Sequence, residues 1–461
     1  MKLDWRTYSI IFLSGLLYFF LGYYSNRSNW ELLLPTVALL FTGYWYLVTA
    51  KTSSLFKPDH KLFNDYPILW MAIAFRAIFF FSMPTLSDDY YRFIWDGWLS
   101  VNGINPFLYI PSEVSAVGDY VVKGFTYDWL SKLNSPAYYS VYPSVAQYVF
   151  SFSAYVGGGN IFASVLTMRA IILLAEIGII ILLPRLLYSL NISRKASIIY
   201  AFNPLVIIEL TGNLHLESVM LFFVLLALYQ LQKGKWIISG VAMAFAISTK
   251  LIPLIFLPAL IPLMGFQKAI KYFAVIGLGC LLLFYPFYTS TLFTHFMSSL
   301  ELYFQHFEFN ASIYYIIRKV GYFFTGYNQI GMIAPVLSIL AFLIILYISI
   351  RGRSIRMKHF LIRLLLIVTF YFLLATVVHP WYLSSVVLLA VFFNGNRYAI
   401  IWSGVAYLSY VTYKDTTYTE QLWLTFLAYL PVYYFLIKDV FIDRKLKPRS
   451  TKKLVRGLDL A

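Results

Sequence analysis

Cysteine is almost missing: the 461 residues hold one, Cys280, inside an apolar run. A lone cysteine excludes a disulfide within the chain and any cysteine-based metal site. Charge is scarce too. Charged residues make up 12% of the chain, about half the ~25% of an ordinary globular domain. With 60% hydrophobic residues, that scarcity excludes a soluble globular protein. Acids are scarcest of all: 20 Asp and Glu stand against 36 Lys and Arg, a net charge of +16. The basic residues collect in short connections and in the tail from Lys438 onward, with no basic domain carrying interleaved aromatics. Nucleic acid is therefore not the expected partner, and the charge follows the positive-inside pattern of a membrane protein.

What the chain does have is long, continuous apolar runs. Crossing a ~30 Å hydrocarbon core takes about 20 apolar residues as a helix. Only helices or closed barrels satisfy their backbone groups there. Continuous rather than alternating runs point to helices. The expected fold is an all-α polytopic transmembrane bundle of about 12–14 helices, with membrane lipid around it. It covers residues 1–438, followed by a basic cytoplasmic tail, 439–461. In that tail Arg444-Lys445-Leu446-Lys447-Pro448-Arg449 and Lys452-Lys453 would rest on anionic lipid. The first run, Tyr8–Tyr24, is too long for a signal peptide and lacks a small-residue cleavage site, so it reads as the first helix. Lys51, Lys57, His60 and Lys61 place the next connection, and with it the N-terminus, in the cytoplasm. A helix over Pro67–Met83, with Arg76 facing other helices or snorkelling, then crosses outward. Outer loops follow at about 84–140 and 289–329. The first is dense in Trp, Tyr and Phe, as short interfacial helices would be.

Three of the few acids, Asp88, Asp89 and Asp96, fall within nine positions at the start of the first outer loop. A plain reading has Ser87 capping a surface helix, with Arg92 paired to Asp88 or Asp96 at i,i+4 spacing. A functional reading notes that loop residues often carry chemistry. Further unusual polar residues fall on the same side: His215, Glu217, Lys250, Asn310 and His379. There a carboxylate can take a proton from an acceptor hydroxyl, and Lys or Arg can stabilise a departing phosphate. Arg169 and Glu176, on one helical face, are expected to pair inside the bundle. His295, His306 and Glu308 lack the spacing of a recognised metal-ligand set. One count stays open. The interval from Tyr142 to Lys195 needs an odd number of crossings but holds two apolar segments, so either one is re-entrant or the Phe162–Leu187 run is not a single span.

The acidic stretch runs Ser87-Asp88-Asp89-Tyr90-Tyr91-Arg92, Trp95-Asp96-Gly97 and Gly103-Ile104-Asn105-Pro106-Phe107. It is followed in order by Tyr142-Pro143 with Gln147, Asn203-Pro204, His215-Leu216-Glu217, Lys250 with Pro253, Phe309-Asn310 and His379-Pro380-Trp381-Tyr382. In these residues the chain resembles the GT-C superfamily of membrane glycosyltransferases, and within it the polyprenyl-phosphate-mannose-dependent α-mannosyltransferases. Ser144 stands where that family usually has a second proline. The resemblance implies a hexose, with mannose expected, moved with inversion from a polyprenyl-phosphate sugar to a glycan, lipid or protein acceptor on the non-cytoplasmic face. It implies Asp88 or Asp89 as base. Arg92, Lys250, His379 and Tyr382 would hold the donor phosphate or sugar, with Asp96, Tyr142, Gln147, His215, Glu217 and Asn310 in support. No cofactor is assigned, and a divalent cation is left open. A transporter or flippase of lipid-linked sugars and a lipid-linked glycan ligase or polymerase are the rival readings. Against transport, no repeated halves are visible and the charges gather at one surface.

Overall fold

The computed structural model describes residues 5–49, 67–116, 127–351, 356–393, 397–414 and 418–442. The basic connection at Lys51–Lys61 and the tail from Arg444 lie outside the described residues. Among the described residues the chain is helical, with no strand beyond one isolated bridge between Phe309 and Val377.

The N-terminal helices are α1 (Trp5–Tyr23), α2 (Trp30–Thr49) and α3 (Pro67–Ile78). An amphipathic α4 (Asp89–Val101) opens the first loop region, which also contains the short helices Pro111–Ala116 and Tyr127–Leu130. Next come α5 (Ser144–Gly157), α6 (Ile161–Ser189), α7 (Glu217–Gln232) and α8 (Trp236–Thr249), then α9 (Phe266–Phe284). The second loop region carries α10 (Leu292–His306) and α11 (Ile313–Thr325). The remainder comprises α12 (Ile330–Ile350), α13 (Met357–Leu374), α14 (Ser384–Ala390), α15 (Arg397–Val405) and α16 (Leu422–Leu436).

Among the described residues, six helical segments are long and apolar enough to cross a membrane: Trp30–Thr49, Ile161–Ser189, Phe266–Phe287, Ile330–Ile350, Met357–Leu374 and Leu422–Ile442. A seventh arises if Val206–Gly212 and Glu217–Gln232, bent by 112°, count as one span. The chain is thus an all-α, multi-pass membrane bundle. Twelve to fourteen apolar runs do not become as many full-length spans, because several are broken. Between Ile252 and Met264, for instance, Pro253, Pro258 and Pro262 divide the run into a 3₁₀ stretch and a single α-turn. The last helix continues through Ile442, past Lys438, with Asp439 buried against Arg397.

The two apolar segments between Tyr142 and Lys195 differ in length. The Phe162–Leu187 run is one continuous helix, α6, held at its start by the Asn160 side chain accepting from Ala163 N at 3.0 Å. By contrast α5 has 14 residues, roughly 21 Å at a rise of 1.5 Å per residue, which is short of a ~30 Å core. It packs on α4 instead. Phe93 and Phe150 stack with centroids 4.6 Å apart, and a side chain at Gly97 would meet the Phe150 carbonyl at 2.3 Å. Of the two segments, only α6 has the length and apolarity of a full span.

Buried charges lock the bundle centre. Arg76 faces other helices, pairing with Glu176 at 2.8 Å where neither side chain has any exposure, and Tyr200 donates to the same carboxylate at 2.8 Å. The expected Arg169–Glu176 pair does not form. Two helical turns separate them along the axis, and Arg169 finds nearer acceptors. It donates to the carbonyls of Thr211 (2.9 Å), Gly212 (3.0 Å), Phe80 (3.0 Å) and Ser82. These carbonyls lie at helix ends, where intrahelical partners run out.

Candidate active site

Five breaks in regular helix converge at one end of the bundle. The π-helical segment Val206–Gly212 ends at Asn213, whose Oδ1 accepts from Leu86 N at 3.1 Å, and Leu214 takes a positive φ of 62°. That reversal points His215 and Glu217 away from the helical path. The hairpin of α7 and α8 returns the chain to the same place, where Lys250 ends α8 in extended conformation. Tyr142 stands two residues before α5, and α4 starts at Asp89. A 3₁₀ turn, Pro380–Leu383, carries Trp381 and Tyr382.

Lys250 Nζ lies 3.0 Å from Glu217 Oε1, and the Glu217 side chain has no exposure. Neither Glu217 oxygen receives a directed hydrogen bond, so the pair is held by charge. The ammonium also sits 5.5 Å from the Tyr142 ring centre and 5.9 Å from that of Tyr382, within cation–π range. Trp381 stacks on His215 at 3.7 Å and on His379 at 4.3 Å. His215 Nε2 is 4.0 Å from Glu209 Oε2, and Glu209 accepts from Tyr410 OH at 2.9 Å. Burial and the nearby Lys250 push His379 down to about 3, so its imidazole is neutral.

The two adjacent aspartates have different surroundings. Asp88 forms an ion pair with Arg27, from the turn between α1 and α2, and the Arg27 guanidinium rests 4.8 Å from the Tyr413 ring centre. Asp89 accepts from Asn134 Nδ2 at 2.7 Å. Burial raises its pKa above the ordinary carboxylate value, while the charge of Lys250 and the Asn134 bond oppose the rise. An ionised Asp89, within the field of the Lys250–Glu217 pair, can take a proton, and the ammonium can face an anion.

The structure thus brings Asp88, Asp89, Tyr142, His215, Glu217, Lys250, His379 and Tyr382 to one region. Arg92, Asp96, Gln147 and Asn310 lie behind it. Arg92 Nε donates to Asp96 at 2.8 Å, the i,i+4 partner, and Nη1 to the carbonyls of Ser135 (2.8 Å) and Tyr138 (3.0 Å). Asp96 also accepts from Ser140 Oγ and from Gln147 Nε2 at 3.1 Å. Asn310, at a φ of 48°, donates from its side chain to Val378 O at 3.0 Å and from its backbone to Glu420 at 2.6 Å, fixing the segment that precedes His379. His295 stacks on Tyr139 at 4.0 Å, and Glu308 pairs with Arg318. Among the described residues, no three His, Cys, Asp or Glu side chains group as metal ligands. Arg27, Asn134 and Tyr413 are site neighbours that sequence reading missed. Arg27 carried one signal: a cation in a turn assigned to the outer side, against the positive-inside pattern.

Neither the curated proteins nor the solved structures contain a match to this chain. A family model does: that of the MptA_B family, described as the N-terminal domain of alpha-(1->6)-mannopyranosyltransferase, matches residues 20–265, more than half the chain. The matched stretch contains Arg27, both aspartates, Tyr142, His215, Glu217 and Lys250. The chain belongs to this family of GT-C type membrane mannosyltransferases.

Proposed function

We propose that the protein transfers mannose from a polyprenyl-phosphate donor to the 6-hydroxyl of a sugar acceptor on the non-cytoplasmic face, with Asp89 as base. The observation that carries the assignment is the unequal pairing of the aspartates: Arg27 pairs with Asp88, whereas Asp89 accepts one amide hydrogen bond and lies in the field of Lys250. The family description supplies the α-(1→6) linkage, and inversion then requires a β-linked donor. Asp89 takes the proton of the acceptor hydroxyl as that oxygen attacks C1 of mannose. The C1–O bond to phosphate breaks on the opposite face, and its electron pair leaves with the polyprenyl phosphate. Lys250 meets the charge that grows on the departing phosphate. Glu217 keeps the ammonium in place, and Tyr142 and Tyr382 flank it. Membrane anchorage of the donor supplies proximity.

The test is transfer of labelled mannose from polyprenyl-phosphate mannose to an α-mannoside by the purified protein. Removing a general base typically lowers the rate by about 10²–10⁴-fold. Asp89→Asn is expected to fall in that range and Asp88→Asn to lose much less. Wild-type turnover in Asp89→Asn would overturn the assignment of the base.

A further inference from the structure

Glu209 is a fully buried acid beside the site, and the proposed transfer gives it no task. A buried carboxyl is unfavourable unless other groups satisfy its oxygens. In the bundle centre Arg76 does this for Glu176. Glu209 has hydroxyl, amide and imidazole neighbours instead. It sits in the π-helical turn Val206–Gly212, a widened geometry that recurs at functional sites. The wider turn lets Asn213 N bond to Ile208 O at 3.0 Å and brings the Asn213 side chain back over Glu209.

The carboxyl reaches the two aspartates by two routes. Asn213 Nδ2 donates to Glu209 Oε2 and to Ile208 O, both at 3.3 Å. These two oxygens act only as acceptors, so they hold the amide NH2 on their own side. The Asn213 Oδ1 is thereby turned toward Leu86, whose N–H it accepts at 3.1 Å. Leu86 leads directly into Ser87, Asp88 and Asp89. On the other oxygen, Tyr410 OH donates to Glu209 Oε1 at 2.9 Å. The Tyr410 ring lies 5.9 Å from Tyr413, against which the Arg27 partner of Asp88 rests. The backbone before the aspartates and the cation on one of them thus trace back to a single carboxyl. We infer that Glu209 is a positioning residue for the transfer: through Asn213 it fixes the Leu86–Asp89 segment so that the base meets the acceptor hydroxyl. The inference rests on the assignment of Asp89 as base made above.

The experiment measures kcat and donor KM separately for transfer of labelled mannose. Glu209→Met, of similar length but with no acceptor, is expected to lower kcat about 10- to 100-fold, the scale of a small misplacement of reacting groups, with donor KM close to wild type. Glu209→Gln, whose carbonyl still accepts from Asn213, is expected to restore most of the rate. Equal loss in both variants, or wild-type kcat in Glu209→Met, overturns the positioning role. In the double variant with Asn213→Ala, kcat is expected to fall no further than in Asn213→Ala alone, and additive losses overturn the route through Asn213. If Glu209→Met does not fold, wild-type kcat in Asn213→Ala overturns that route by itself. A second readout needs no turnover. In a Cys280→Ser background, Ser87→Cys puts a buried thiol beside the aspartates. Glu209→Met is expected to speed its reaction with a maleimide about tenfold, equivalent to ~1.4 kcal/mol. Ser239→Ala, which removes a buried hydrogen bond between Ser239 and Tyr272 elsewhere in the bundle, is expected to leave that rate unchanged. No acceleration in Glu209→Met, or equal acceleration in both, overturns the inference. If wild type transfers no mannose from this donor, or Asp89→Asn keeps wild-type turnover, the functional reading fails, and the labelling rates judge the Glu209 clamp separately.

Discussion

At the scale of single residues, Asp88 and Asp89 show how one backbone step changes chemistry. They are adjacent acids in an acid-poor chain, yet one is paired with Arg27 and the other, bonded to Asn134, lies in the field of Lys250. Burial lifts the pKa of Asp89 above the ordinary carboxylate value, and the charges of Glu217 and Asp88 add to the rise. A base works in its ionised form. Activity is therefore expected to be full above the raised pKa and lost as pH falls through it, with the loss beginning at a higher pH than an exposed aspartate would give. The pH profile of kcat/KM checks this, because it reports the free enzyme's base. If Asp89 is the titrating group, Lys250→Met moves the acid limb further up, since the ammonium opposes the rise. A limb that stays in place in that variant would assign the titration to another group.

At the scale of elements, α4 and α5 form a platform whose buried polar network aims the site without facing it. The i,i+4 pairing of Arg92 with Asp96 was legible as the plain alternative in the sequence, as was the convergence of His215, Glu217 and Lys250 at helix ends. Other features were not legible, because they depend on contacts distant in sequence. Arg169 serves carbonyls freed by the bend at Gly212, and a seven-residue spacing says nothing of that bend. The end of α5 at Gly157, where Gly158 takes a left-handed conformation, was not legible either. Arg92 is where the two readings part most clearly. Its side chain is 3% exposed and its Asp96 partner fully buried, so Arg92→Ala leaves a buried carboxylate with Ser140 and Gln147 as donors but no ion partner. Breaking such a pair costs about 3–5 kcal/mol, expected as a lowered melting temperature in detergent. A direct phosphate ligand would instead raise KM for the donor with melting unchanged, and that outcome would return Arg92 to the site.

At the scale of the whole molecule, the α7–α8 hairpin sets the site apart from a basic turn. Glu217 opens α7 and Lys250 closes α8, and the two meet at 3.0 Å. The turn at Lys233-Gly234-Lys235 must then lie at the far end of the hairpin. Gln232 there reaches Ser189 O at 3.4 Å, so the end of α6 and the following Arg194 and Lys195 share that side. Four basic residues opposite the site are the arrangement expected when the site faces away from the cytoplasm. The near absence of cysteine makes this directly testable. In a Cys280→Ser background, Glu113→Cys and Lys233→Cys each place one thiol at an exposed position, the first in the loop region that carries α4 and the second in the hairpin turn. A membrane-impermeant maleimide is expected to label Glu113→Cys in intact cells and Lys233→Cys only after permeabilisation. The reverse pattern would put the aspartates in the cytoplasm, and labelling of both from one side would contradict the hairpin as a crossing. Protection of Glu113→Cys from the reagent by added donor would tie the orientation to the catalytic face itself, because the same loop region supplies Asn134 to Asp89.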